Sequence, residues 1–276
     1  METSAPVHRP WHPLTFSSVA ALAQTPLSRW WWLAMTVALL GAASLLWFMA
    51  IGWRPVVVES IQRLPEQCWI RRGFLEWNER SPFVLGHNSF LGLTVDVDEL
   101  TLSSTPADVQ CDLGKTQFKV RSILGYLSLP YPKQWLLLLD RTQAESWWGA
   151  WEPFVWIVLG VGATSLWFLV WTVCATLYAF PLHLLIFFLD RHGNWLTGWR
   201  LALAAQLPGA LFLAAAVVGY GLHYVDLATL LFVFAAHVLM SWIFLLCSLG
   251  WLPRLSTHHS WRKNPFRAPP EHREKE

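Results

Sequence analysis

His237 lies near the middle of a long apolar run, about a dozen residues from either end, which puts it roughly 18 Å deep if the run is helical and crosses a bilayer. An ionisable side chain at that depth is a functional candidate by default, for proton relay or ligand binding. Thr164 and Ser165 sit at a similar depth in an earlier apolar run and carry hydroxyls that suit a hydrogen bond to the imidazole. These three residues form the candidate intramembrane polar site, with Gln206 nearer one end of its own run. The bland alternative is a neutral histidine satisfied by a hydroxyl or a carbonyl. A proton relay needs a chain of titratable groups, and the hydrocarbon zone holds no Asp, Glu, Lys or Arg.

Other chemistry-bearing groups are sparser. His183, Asp190 and His192 gather at the end of the second apolar run, but Pro181 and Gly193 disturb any ligand spacing. Asp96, Asp98 and Glu99 are acidic, yet they extend an alternating pattern and lack the glycine and oxygen-rich spacing of a calcium loop. His258-His259 belongs to a basic tail. Cys68 and Cys111 sit between the first two apolar runs, either as a disulfide or as two buried thiols, and Cys174 and Cys247 lie inside apolar runs. No Walker A loop, Gly-x-Ser-x-Gly elbow, His-Glu-x-x-His helix or Cys-x-x-Cys pair occurs. We therefore expect no catalytic residue, metal or cofactor, and no nucleic-acid partner.

The elements that hold these groups follow from segregation of charge. Hydrophobic residues make up 54% of the 276 positions and charged residues only 14%, against about 25% in a soluble domain. Tryptophans cluster at the edges of the apolar runs, where indole settles at the headgroup level. Four runs are long enough to span. The layout expected is a cytoplasmic arm (1–29), span one (30–53), a β-rich domain (54–150), span two (151–180), an interfacial segment (181–198), span three (199–222), span four (225–250) and a basic tail (251–276). Pro181 is read as a kink or break, with the residues after it in the interface or extending the helix at an angle.

The expected fold class is therefore a membrane all-α four-helix transmembrane bundle, with a small β-rich (α+β) extracytoplasmic domain inserted between helices 1 and 2. Leu93, Val95 and Val97 alternate with Thr94, Asp96 and Asp98, as in a half-buried strand. Short segments at 68–71, 74–77, 83–85, 109–113, 118–123 and 135–139 read as further strands, Arg72-Gly73 as a turn, and Asp140 as the N-cap of a helix. Arg9, Arg29, Arg191, Arg200 and the basic tail fall on one side, while the turn before Asp226 has no Lys or Arg. This predicts both termini in the cytoplasm, in a multi-pass protein of a bacterial inner membrane.

The text Ile70–Trp77 (IRRGFLEW), a strand ending in Val95-Asp96, and Arg200–Phe212 (RLALAAQLPGALF) opening the third span follow one another in the order span, outer domain, three spans. In this the chain resembles a bacterial membrane-protein family labelled maltodextrin-utilisation-like, which has no established activity and so implies no site residues. The function expected is that of a non-enzymatic accessory or sensor protein, whose outer domain binds a ligand or a partner such as another membrane protein or complex. The alternatives are a small transporter or channel subunit using His237, and a membrane enzyme at the cytoplasmic face near His183 and His192.

Overall fold

The computed structural model describes residues 13–98, 106–191 and 193–253. A short helix, α1 (Phe16–Leu22), opens it, capped by the Thr15 hydroxyl, which accepts from the Ser18 amide. Helix α2 (Leu27–Phe48) passes through one π-helical turn (Met49–Trp53) into α3 (Arg54–Gln62). Eight strands follow: β1 (Trp69–Arg71), β2 (Phe74–Glu76), β3 (Phe83–His87), β4 (Leu91–Asp96), β5 (Val109–Gly114), β6 (Gln117–Ser122), β7 (Gly125–Pro130) and β8 (Leu136–Leu138). Helices α4 (Arg141–Phe188), α5 (Trp195–Gly221) and α6 (Leu227–Leu249) complete it. Among the described residues four helical stretches are long and apolar enough to cross a membrane: Ser28–Gln62, Arg141–Phe188, Trp195–Gly221 and Leu227–Leu249.

The expected fold class is overturned. The chain is an α+β fold with two sheets and eight strands, and three of its four long helices follow the strands. Nor do the helices pack as a bundle of four equal members. Helix α5 packs against α2, α4 and α6 at once and is buried from Leu201 to Ala210, whereas α4 is exposed along most of its length. Small side chains explain the hub: Ala202, Ala204, Ala205, Gly209 and Ala210 let three neighbours approach one backbone. At Gly209 a Cβ would stand 2.6 Å from the His237 carbonyl oxygen, so glycine is required where α5 meets α6.

The strands form a three-stranded sheet, β2-β1-β8, and a five-stranded sheet, β3-β4-β5-β6-β7, antiparallel except for the parallel β4–β5 pair. The two share one core: Cys68, Ile70 and Leu75 from the small sheet meet Leu85 and Val95 from the large one, with Tyr131. The β1–β2 hairpin turns on Arg72 (φ 52°) and Gly73 (φ 84°), two positive φ angles in succession, as the tightest hairpin turn demands. Helix α4 begins where expected: the Asp140 carboxylate accepts from the Gln143 amide at 2.6 Å. It then runs unbroken through Pro153 and Pro181 to Phe188, so no break occurs at Pro181. The Arg54 guanidinium pairs with Glu152, and the Trp156 indole N–H also donates to Glu152, fastening α3 to α4 where the two approach the strands.

Candidate functional site

His237 faces a small cavity between α4, α5 and α6. The cavity measures about 40 Å³ and is lined by Trp171, Cys174, Tyr178, Gln206 and Ser241. Gln206 Nε2 donates to the Trp171 carbonyl oxygen and to that of Ala202, both at 3.2 Å, which ties α5 to α4. Ser241 Oγ donates to the His237 carbonyl at 2.9 Å, and His237 Nδ1 hydrogen-bonds the Phe234 carbonyl. A carbonyl only accepts, so Nδ1 is the donor in that bond.

The expected trio does not assemble. Thr164 Oγ1 is spent on the Gly160 carbonyl of its own helix at 2.8 Å, and Ser165 is exposed on the outer side of α4. Gln206, which sequence depth matched less well, lines the same cavity as His237. The cavity has room for a few waters at most, and apart from His237 itself no charged side chain lines it. What the cluster does is join helices through polar contacts.

The remaining candidates disperse. His183 is exposed with its ring 6.4 Å from that of Trp195, Asp190 occupies a left-handed turn position (φ 50°), and His192 lies outside the described residues. Asp96 is buried at the end of β4, and Glu99, His258 and His259 lie outside the described residues. Among the described residues no group of three His, Cys, Asp or Glu side chains is placed to hold a metal ion. The Cys68–Cys111 bridge is not formed: both thiols are free. Cys68 lies inside the shared core of the sheets, while Cys111 sits on β5 between Leu93 and Val120. Burial pushes both thiols up to about 11, helped at Cys111 by the Asp112 charge.

A junction that sequence reading did not single out joins the strands to the helices. Tyr220, in the last turn of α5, donates its hydroxyl to Asp108 Oδ2 at 2.6 Å, just ahead of β5. Phe90 fills the space beside it, 4.9 Å from the Tyr220 ring, 5.2 Å from Phe48, and stacked at 4.6 Å on His223. Asn88 clamps the same loop, donating to the Gly52 carbonyl at 2.5 Å while its oxygen accepts from the Phe90 and Leu91 amides. A cleft of about 490 Å³ opens beside this contact, lined by Asp108, His223 and Asp226 among others. No sequence signal pairs Asp108 with Tyr220, because their contact depends on where β5 begins relative to the end of α5.

The other unabsorbed feature is β7. Among the described residues it pairs with β6 alone and forms one margin of the large sheet. All six of its residues are exposed, including Leu127 (54%) and Leu129 (49%). On the opposite margin, β3 packs against α3. Sheet margins in monomers are commonly blunted by charges, and β7 (Gly-Tyr-Leu-Ser-Leu-Pro) carries none. Leu127 and Leu129 continue the apolar face begun by Val120 and Phe118 on β6.

No family model matches the chain, and no curated protein or solved structure matches it either.

Proposed function

We propose that this is a membrane-anchored, non-enzymatic accessory protein, whose β domain docks another membrane protein or complex by strand addition along β7. The carrying observation is the free, uncharged margin of β7, with Leu127 and Leu129 half-exposed on it. Strand addition takes affinity from main-chain hydrogen bonds and specificity from alternate side chains, and β7 offers both. Strands and helices are tied together by Asp108–Tyr220 and Asn88–Gly52, so a partner seated on β7 is coupled to the helices.

The reading includes orientation. Arg191 and Arg200 lie at the α4–α5 end, while the strands contact the α5–α6 end, whose turn has no Lys or Arg. The basic end is assigned to the cytoplasm and the β domain to the extracytoplasmic side of a bacterial inner membrane. Transport through the His237 cavity is disfavoured by its size.

The test is site-specific photo-crosslinking in native membranes. A benzophenone side chain at Leu129 is expected to give one discrete protein adduct, and at Thr116 on the β5–β6 turn none. Leu127→Lys, which puts a charge on the margin, should abolish the adduct without altering thermal stability. Adducts to lipid alone, or only to a second copy of the chain, would overturn the reading.

A further inference from the structure

We infer that the β6–β7 turn, Ile123-Leu124, inserts into the bilayer that holds the helices and seats the β domain on its surface. Strand register carries the argument. Ser122 pairs with Gly125, so Ile123 and Leu124 are the two residues of a tight hairpin turn. Val109 pairs with Ser122, so that turn lies at the end of the sheet where β5 begins. Asp108, the residue before β5, is bonded to Tyr220, one residue from the end of α5 at Gly221. The turn therefore lies at the level where a helix long enough to span a membrane reaches its end.

The residue types are wrong for a turn in water. Two-residue hairpin turns favour Asn, Asp and Gly, which satisfy turn geometry and hydration together. Here two large aliphatic side chains stand 62% and 76% exposed. Tyr126, 58% exposed, follows shortly behind, where an aromatic with a polar tip suits the headgroup layer. The α5–α6 turn at the same level is similar in kind, with Leu222 and Tyr224 both exposed.

The far end of the sheet has the opposite character. The β5–β6 turn is Lys115-Thr116, and its carbonyls accept from Leu75 and Tyr131, beside the small sheet. Polarity thus runs along the sheet, with the apolar tip on the side of the helices. The occupant is assigned as lipid because the tip shares its level with the helix ends, and because it is a protruding turn rather than a groove or a flat face. The inference rests on the four long helices crossing a bilayer, and the experiment separates the two statements.

The full chain, with its four cysteines replaced by alanine, is placed in nanodiscs of phosphatidylcholine and phosphatidylglycerol. A nitroxide is attached at Leu124→Cys, Thr116→Cys or Ser165→Cys, and its accessibility to oxygen and to a water-soluble nickel chelate is measured. Ser165 reports the hydrocarbon beside α4. The expected result is that Leu124 resembles Ser165, favouring oxygen with severalfold lower nickel access than Thr116. Nickel access at Leu124 equal to that at Thr116, with Ser165 in hydrocarbon, overturns the insertion and leaves the spanning helices intact. Shielding of Leu124 from both reagents means protein covers the tip and also overturns it. Water exposure at Ser165 overturns both statements. Brominated-lipid quenching of a fluorescent non-canonical residue at the same positions, in the chain with native cysteines, gives the same readout should the cysteine-free chain fail to fold.

Discussion

Tyr220 Oη and Asp108 Oδ2 lie 2.6 Å apart, and this bond between residues 112 positions apart joins the β domain to the most buried helix of the protein. It is charge-assisted, partly buried, and flanked by the Phe48–Phe90 pair. Such bonds are stronger than neutral ones. Losing one costs about 1–2 kcal/mol here, toward the low end for bonds to charged groups because the site is only partly buried. Tyr220→Phe keeps the ring packing and removes the bond. The expected outcome is that loss of stability, with faster hydrogen exchange at the Asp108 and Val109 amides, which bond to Ser89 and Phe90. Unchanged exchange there would show that the rings alone hold the junction.

Gly209 tests the helix hub. An added methyl meets the His237 carbonyl at 2.6 Å, a backbone atom that moves only if α6 moves. Gly209→Ala is expected to destabilise by about 1–3 kcal/mol, as overpacking does. At Gly162, in α4, a methyl group would meet nothing within 4 Å, and Gly162→Ala should be neutral or slightly stabilising. Unfolding midpoints in a denaturing-detergent titration compare the two.

The cluster around Gln206 makes a different prediction. Gln206→Leu removes the side-chain bond to Trp171 and should cost about 0.5–1.5 kcal/mol, the range of such bonds within membranes. With a cavity of about 40 Å³ and no titratable chain, His237→Ala should leave proton permeability of proteoliposomes unchanged. A drop in flux on that substitution would restore the transport reading.

The thiols give a pH signature. Cys68 and Cys111 are both free, so each should be alkylated in denaturant without reductant. In the fold both titrate near 11, against an ordinary value of 9.0. The unfolded chain therefore loses these protons first as pH rises. The stabilisation is fully present below about pH 9 and is lost as pH climbs through 11. Cys68→Ala should flatten part of that loss, read as the midpoint of thermal unfolding between pH 8 and 11.

Much of the β domain was legible from alternation and turn residues in the sequence, although β4 buries both faces, Thr94 and Asp96 as well as Val95. Leu93 and Val95 alternate with polar residues, and Arg72-Gly73 carries its turn chemistry openly. Strand β7 escaped notice because neither of its faces is buried, so selection for a core leaves no mark on it, and it ends on Pro130. The seven-residue α1 is too short for a helical period to show. At Pro181 the helix continues, one of the alternatives the sequence left open; a proline interrupts a helix less among apolar neighbours, where local adjustment re-satisfies the freed carbonyl. His237 was visible as an ionisable residue in an apolar run. Its partners were not, because the apolar stretch of α4 continues to Phe188 and its centre falls nearer Trp171 than Thr164. The all-α class failed for a different reason: the four long apolar runs dominate the hydropathy pattern and were given precedence over the strands, seven of which were read.

The position of α5 also sets an order of events during synthesis. The ribosome delivers α2, all eight strands and α4 before it delivers the helix against which α2 and α4 both pack. Asp108 likewise waits for Tyr220. The β domain has its own core of Cys68, Ile70, Leu85 and Val95, to which no residue of α5 contributes. Of the long helices, α5 is the one that packs against the other three, and a chain stopped at Phe188 would hold every described strand and lack that common contact.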